Sequence, residues 1–191
     1  MYVTPPNRTD AMCDGPPTNA SMTSPHVSRG AFRDAMARVC APVHVITTNG
    51  PAGRGGFTAT AMCAVTDEPP MLLVCMNSRS AQTGLFLENR RFCVNVLADA
   101  HTQLAGCFAG QEADMSLRYA AARWVDLSSG NQALADAIVS FDCRLQEARR
   151  VGTHHVMIGV VSEIRARPDG QALLYVDRAF LPVPATADLK T

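Results

Sequence analysis

The chain has 191 residues with 17 basic and 17 acidic side chains, so it carries no formal net charge. No basic stripe marks a nucleic-acid partner, and no apolar run approaches the ~20 residues needed to cross a membrane. A composition of 47% hydrophobic and 18% charged residues is that of a globular chain long enough to bury a core, with one domain as the expectation. The start lacks the basic, apolar and small-residue succession of a signal peptide, so the expected location is cytoplasmic. Seven cysteines (Cys13, Cys40, Cys63, Cys75, Cys93, Cys107 and Cys143) are scattered without a CxxC pair. They read as free thiols used as small hydrophobes, and no metal site is expected.

Residues 1–29 are rich in Pro, Thr, Ser and Asn without a hydrophobic period, which predicts a disordered tail. The triplets Asn7-Arg8-Thr9 and Asn19-Ala20-Ser21 inside it resemble glycosylation sites but have no export route to make them meaningful. A single domain is expected over 30–185, followed by a short tail, 186–191. Ser28 is a candidate cap for a helix over Gly30–Cys40, in which Phe32, Met36, Val39 and Cys40 share one face. Val43–Thr48 is strand-like, and Asn49–Gly53 reads as a turn.

The stretch Gly55–Asn77 then predicts two strands, Gly56–Asp67 and Met71–Met76, joined by a turn at Asp67-Glu68-Pro69-Pro70. The first is made of small side chains (Thr58, Ala59, Thr60, Ala61, Cys63, Ala64) where a core strand would carry Val, Ile or Phe. Such a strand leaves its backbone approachable by something flat and large. A polar loop, Asn77–Ser80, leads into a helix over Ala81–Asn89, with Ser80 as its expected N-cap. Arg91–Leu97 is a further strand, interrupted by the polar Asn95. His101–Phe108 reads as helical. Gly110–Gly130 is irregular and holds Trp124, expected over the end of the core. Ala137–Arg149 and His154–Arg167 form a wide hairpin, and Ala172–Asp177 is the last strand. About seven strands with short connections imply a mainly β, antiparallel fold, a Greek-key barrel with a few added helices.

Two glycine motifs can be set aside. The run Gly50–Gly56 lacks the Lys-Ser/Thr of a phosphate-binding loop, and it leads into a strand where a dinucleotide fingerprint needs a helix. It reads as a flexible hairpin connection. No serine nucleophile elbow, metalloprotease helix or carboxylate pair is present, which points to chemistry carried by a cofactor that the protein positions.

Six segments in order resemble the short-chain NAD(P)H:flavin oxidoreductases of the FMN-binding split-barrel type. They are Phe32–Val39, Val45–Asn77, Phe86–Leu97, Ala133–Leu145, Gly152–Val161 and Leu173–Phe180. The resemblance implies a flavin reductase that passes reduced flavin (FADH2 or FMNH2) to a separate oxygenase component acting on a small aromatic, phenol-type substrate. It implies FAD or FMN with NADH, NADPH being the alternative, and a homodimer. Thr60, Ala61, Met62 and Cys63 would meet the isoalloxazine edge, and Asn77, Ser78, Arg79 and Ser80 the ribityl chain and phosphate. Asn95, Val96 and Leu97 would add a second contact. Arg178 would pair with a cofactor phosphate, with a structural ion pair as the competing reading. His154, following a glycine-containing turn, would assist hydride transfer. Relatives often carry a His after the final Asp-Arg, where this chain has Ala179-Phe180-Leu181. A non-enzymatic flavin-binding protein on the same barrel is the other reading.

Overall fold

The computed structural model describes residues 27–183; the expected N-terminal tail, except for its last three residues, and the C-terminal tail lie outside them. Helix α1 (Arg29–Ala37) starts where the sequence indicates, with Ser28 Oγ accepting the Ala31 N–H at 3.1 Å. Its predicted apolar face is not buried by this chain: Phe32, Met36 and Val39 are 60%, 49% and 52% exposed.

Among the described residues, twelve strands follow the helix. The main sheet takes β2 (His44–Thr48), β3 (Gly55–Ala59), β4 (Met62–Asp67), β5 (Pro70–Asn77), β6 (Arg91–Val96), β9 (Val139–Val151) and β10 (His154–Ala166), in the order β3-β2-β6-β9-β10-β5-β4. Every pairing is antiparallel. A small sheet joins β1 (Ala41–Pro42) to β11 (Leu173–Val176) and β12 (Ala179–Pro182), and β7 (Trp124–Asp126) pairs with β8 (Gln132–Leu134).

The long small-residue strand expected over Gly56–Asp67 is in fact two strands, β3 and β4, broken at Thr60-Ala61. These two strands are the opposite edges of the seven-stranded sheet. A flat sheet of that width would hold its edge strands about 29 Å apart, whereas the three virtual bonds from Ala59 to Met62 reach about 11 Å at most. The sheet must therefore curl until its edges meet at one end. It is a split barrel, with Thr60-Ala61 as the stitch and an opening beside it. Two bonds fix the stitch: Met62 N–H donates to Thr60 O (3.0 Å) and Cys75 N–H to Ala61 O (3.1 Å).

Strand β2 is buried along its whole length because both faces meet a core. On one face Val43 and Val45 pack with Leu97, Leu104, Phe108, Tyr119, Leu134 and Leu173. On the other, Ile46 packs with Val74, Met76, Phe86, Phe92, Leu145 and Met157. Alternating side chains along a strand make this possible. Helix α2 (Thr83–Asn89) supplies Phe86 to the second core; α3 (Thr102–Gly106), a π-helical turn over Cys107–Gln111 and α4 (Met115–Ala120) supply the first. The irregular stretch therefore contains real structure, and Trp124 sits where expected, 4.7 Å from the Tyr119 ring and 5.9 Å from Phe108.

The glycine run is not a flexible connection. Asn89, 4% exposed, accepts the Ala52 N–H (2.9 Å) and donates to Gly53 O (2.8 Å), which clamps the loop onto the end of α2. A Cβ on Gly50 would lie 2.5 Å from Asn89 Oδ1, so the clamp requires glycine there.

Candidate functional site

A cavity of about 670 Å³ opens where the barrel is split. One wall is Gly56–Ala61, the opposite wall is the end of β5 (Cys75, Met76, Asn77) with Ser80–Gln82, and the rim carries Phe108–Gly110, Ala113, Arg118 and His154. That size suits a small-molecule or cofactor site.

The floor is set by close contacts at Gly55 and Gly56. A Cβ on Gly56 would come within 2.5 Å of the Phe108 ring, and one on Gly55 within 2.6 Å of Gln82 Oε1. Behind the wall, Thr58 Oγ1 donates to Ala105 O (2.7 Å) and the Tyr119 hydroxyl to Gly55 O (2.9 Å). Arg54 stacks on the Tyr119 ring at 4.2 Å, a cation–π contact. Burial raises the Tyr119 pKa well above the ordinary phenol, the nearby Arg54 charge opposing in part. The hydroxyl therefore stays a donor and holds the glycine backbone in place.

Loop Asn77–Ser80 is tied to the β9–β10 hairpin. Ser78 donates to Thr153 O from both its N–H (3.0 Å) and its hydroxyl (2.9 Å). Asn77 lies directly opposite His154 in the β5–β10 ladder, so the hairpin carries His154 to the cavity mouth. There the His154 Nδ1 meets Thr153 Oγ1 at 3.0 Å. Ser80 does not cap α2: the helix begins at Thr83, and the Ser80 hydroxyl accepts the Gln82 N–H (3.3 Å) one turn earlier. The Thr83 N–H goes to Ser80 O, Ser80 N–H to Asn77 O, and Arg79 N–H to Asn77 Oδ1. Across 78–83, Ala81 alone keeps an uncommitted N–H among the described residues.

Of the residues singled out from sequence, Thr60, Ala61, Asn77, Ser80 and His154 line this cavity. Met62 and Cys63 lie beyond the stitch on β4, Met62 packing into the core and Cys63 exposed. Ser78 and Arg79 sit beside the cavity without lining it.

Asn95, Val96 and Leu97 are a correction. Asn95 is fully buried in the sheet: it donates to Val45 O (3.0 Å) and accepts from Leu134 N–H (2.8 Å) and Ser140 Oγ (2.9 Å). Val96 pairs with His44 and Val139 in the ladder, and Leu97 is 0% exposed in the core. Arg178 is the second correction. It forms an ion pair with Asp34 of α1 and borders a separate cleft of about 370 Å³ behind Thr58–Thr60. The structural alternative for Arg178 is the one observed, with Asp34 as the carboxylate.

Three lining residues carried no readable signal: Phe108, Gln82 and Arg118. Gln82 lines the cavity, but its Oε1 is buried against Gly55 and has no hydrogen-bond partner among the described residues. Arg118, whose Nε donates to Glu112 O (2.6 Å), is the one Lys or Arg in the lining, and no Asp or Glu accompanies it. The cavity therefore favours an anionic group. Cys75 also lines it, but burial, helped by the nearby Cys63, raises its thiol pKa, so it is not a poised thiolate. Among the described residues, no group of three or more His, Cys, Asp or Glu side chains could hold a metal, and no helix is long and apolar enough to cross a membrane.

Comparison with known proteins agrees with this geometry. Residues 36–184 match the flavin reductase like domain. The chain is 45% identical over 157 residues, 82% of each chain, to a protein of Pantoea ananatis named FMN reductase (NADH) RutF. Among solved structures, YcdH of Haemophilus somnus 129PT is 39% identical, with a TM-score of 0.79 over 82% of this chain and all of its own. BorF, the flavin reductase component of a bacterial two-component tryptophan halogenase, is 25% identical, with a TM-score of 0.76 over 82% of this chain and 99% of its own. A split barrel with an approachable wall, an anion-favouring cavity and this likeness lead to one assignment: the chain belongs to the flavin reductase family and is a flavin oxidoreductase.

Proposed function

We propose that the protein oxidises NADH, reduces FMN in the split-barrel cavity, and releases the reduced flavin to a separate oxygenase component. The observation that carries this reading is the cavity itself: a thin wall at Thr60-Ala61 and one cation, Arg118, with no carboxylate in the lining. Those features suit a flat ring with polar edges and a phosphate tail. Bound flavin supplies the redox chemistry, taking a hydride from the nicotinamide. The chain's own groups bind and orient. Thr60 and Ala61 leave room for the ring, and Arg118 with the free Ala81 N–H meets the phosphate. His154, at the mouth beside Asn77, is placed to position the reacting partners.

FMN is favoured over FAD, and NADH over NADPH, by the relatives' names. Release of the product to an oxygenase is supported by the two-component system of BorF. The phenol-type substrate expected from the family rests on no residue of this chain, because that substrate meets the oxygenase. A homodimer is supported by the apolar face of α1 (Phe32, Met36, Val39), which the chain leaves open to solvent. Light scattering that reports a monomer at micromolar concentration would remove that part of the reading. A cytoplasmic setting is supported by the six described cysteines, all free.

The test is NADH oxidation with FMN and with riboflavin, which lacks the phosphate. Wild type should oxidise NADH with both and favour FMN. Arg118→Gln should raise the KM for FMN about tenfold, the loss of one charge-assisted contact, and leave riboflavin unchanged. No NADH oxidation with any flavin would return the protein to the non-enzymatic flavin-binding reading. Equal loss with FMN and riboflavin would remove Arg118 from the phosphate.

A further inference from the structure

A second cavity, of about 520 Å³, lies on the other side of α2 and shares no lining residue with the flavin cavity. Arg90, Arg91 and Arg144 line it together with Ser128, Ser129 and Ser162. Arg91 and Arg144 are direct cross-strand partners in the β6–β9 ladder. Like charges placed opposite each other on neighbouring strands repel. Arg90 adds a third positive charge from a left-handed residue (φ 56°) at the end of α2.

None of the three guanidinium groups has a carboxylate within salt-bridge distance among the described residues. Two acids border the cavity through its serines, Glu163 at Ser128 and Asp142 at Ser162, but neither lines it nor pairs with an arginine. Asp142 is 1% exposed and accepts from Asn131 Nδ2 (2.7 Å), and Glu163 accepts from Ser128 Oγ (3.0 Å).

Two of the arginines are also held in place. Arg91 donates to the carbonyls of Asn89 and Ser129, and Arg90 Nη2 donates to Leu145 O (3.3 Å). The turn above Arg91 is built close to it: a Cβ on Gly130 (φ +89°) would lie 3.1 Å from Arg91 Nη1. The Ser129 hydroxyl oxygen accepts the Asn131 N–H (3.0 Å), which leaves its own proton free to donate into the cavity.

Three guanidinium groups around one opening make no salt bridge among the described residues, and planar guanidinium forks match phosphate oxygens. We infer that Arg90, Arg91 and Arg144 form a binding site for a diphosphate-bearing ligand, distinct from the flavin cavity. The volume accommodates a nucleotide as well as free diphosphate, and the two sources share the same contacts. Bound anion removes the repulsion between Arg91 and Arg144 and gives Arg90 a partner at the end of α2 opposite Gln82.

The experiment is isothermal titration calorimetry on protein saturated with FMN, so that the first cavity is filled, using inorganic pyrophosphate and ADP as probes. One probe molecule should bind per chain. Tighter binding of ADP identifies a nucleotide, and equal affinity identifies the diphosphate group alone. Arg144 is exposed, so replacing it spares the core. Arg144→Gln should weaken binding about tenfold or more. Arg144→Glu should abolish it and raise the Tm of the ligand-free protein, because the like-charge pair becomes an opposite-charge pair. FMN affinity should be unchanged in both. Absence of binding by either probe in the wild type would overturn the site, as would undiminished binding in both variants.

Discussion

The interior of this protein holds polar groups in two contrasting settings. The Asn95 amide finds a protein partner for both of its polar atoms: it is fully buried and bridges β2, β8 and β9 through Val45, Leu134 and Ser140. Around the split-barrel cavity, Arg118 has no counter-ion among the described residues and the His154 ring meets only its neighbouring threonine. In a sequence an asparagine inside an apolar strand looks functional, whereas an arginine in an irregular stretch looks ordinary. The structure reverses that ranking. A saturated polar group is cross-linking, and an unsaturated one beside an open volume is available to a ligand.

The sharpest way to break this contrast is Asn95→Leu. It strands the Leu134 N–H and the Ser140 hydroxyl, each costing about 1–3 kcal/mol when buried without a partner, so a loss of about 4 kcal/mol is expected in denaturant unfolding. The protein that remains folded should bind FMN normally. A stable variant with weakened FMN binding would put Asn95 back at the cofactor.

His44 offers a second test inside the same buried region. It is 0% exposed, its Nδ1 lies 3.2 Å from Ala59 O, and its Nε2 has no partner. Burial lowers its pKa to about 4, the Ala59 carbonyl opposing in part. The unfolded chain takes up this proton near the ordinary value of about 6.5, while the folded chain refuses it until about pH 4. Stability contributed by the neutral imidazole is therefore present above about pH 6.5 and lost as pH falls toward 4, by roughly 3 kcal/mol. Unfolding midpoints between pH 7 and 4 should show that slope, and His44→Leu should flatten it. An equal slope in the variant would assign the acid sensitivity to other groups.

At the cavity the expected effects are on ligand rather than fold. Ala61→Trp places a large ring at an exposed, cavity-lining position and should weaken FMN binding at least about tenfold, about 1.4 kcal/mol, with Tm unchanged. Normal affinity would move the flavin off the Thr60-Ala61 wall. The smallest effect is expected at His154, which is exposed. His154→Ala should slow turnover several-fold while FMN binding is kept, and a turnover rate equal to wild type would leave the histidine a bystander.

How much of this could be read from the residues differs from element to element. Ser28 as a cap, the β9–β10 hairpin and the β-branched run of β2 were legible because each depends on local chemistry: a side-chain acceptor, a short turn and an alternating pattern. The small-residue stretch was legible as a wall, and its Thr60-Ala61 segment does line the cavity. Its interruption was not, because the order of strands in the sheet decides whether a run of small residues pairs as one strand or turns a corner. Ser80 failed as a cap for a similarly small reason: one extra turn of chain satisfies its hydroxyl before the helix starts.

The sequence by itself determined the antiparallel β class, the family and which stretch of small side chains lines the cavity, since these follow from side-chain size, periodicity and ordered motifs. Tertiary structure alone decided which polar residues face an opening. Curling the sheet until β3 and β4 meet buries Asn95, turns Arg178 toward Asp34 and brings Gln82, Arg118 and His154 from three separate segments to one cavity. The same packing sets Arg91 against Arg144 across two strands 53 residues apart. Such convergence depends on strand order and register, and neither is written in any local stretch of the chain.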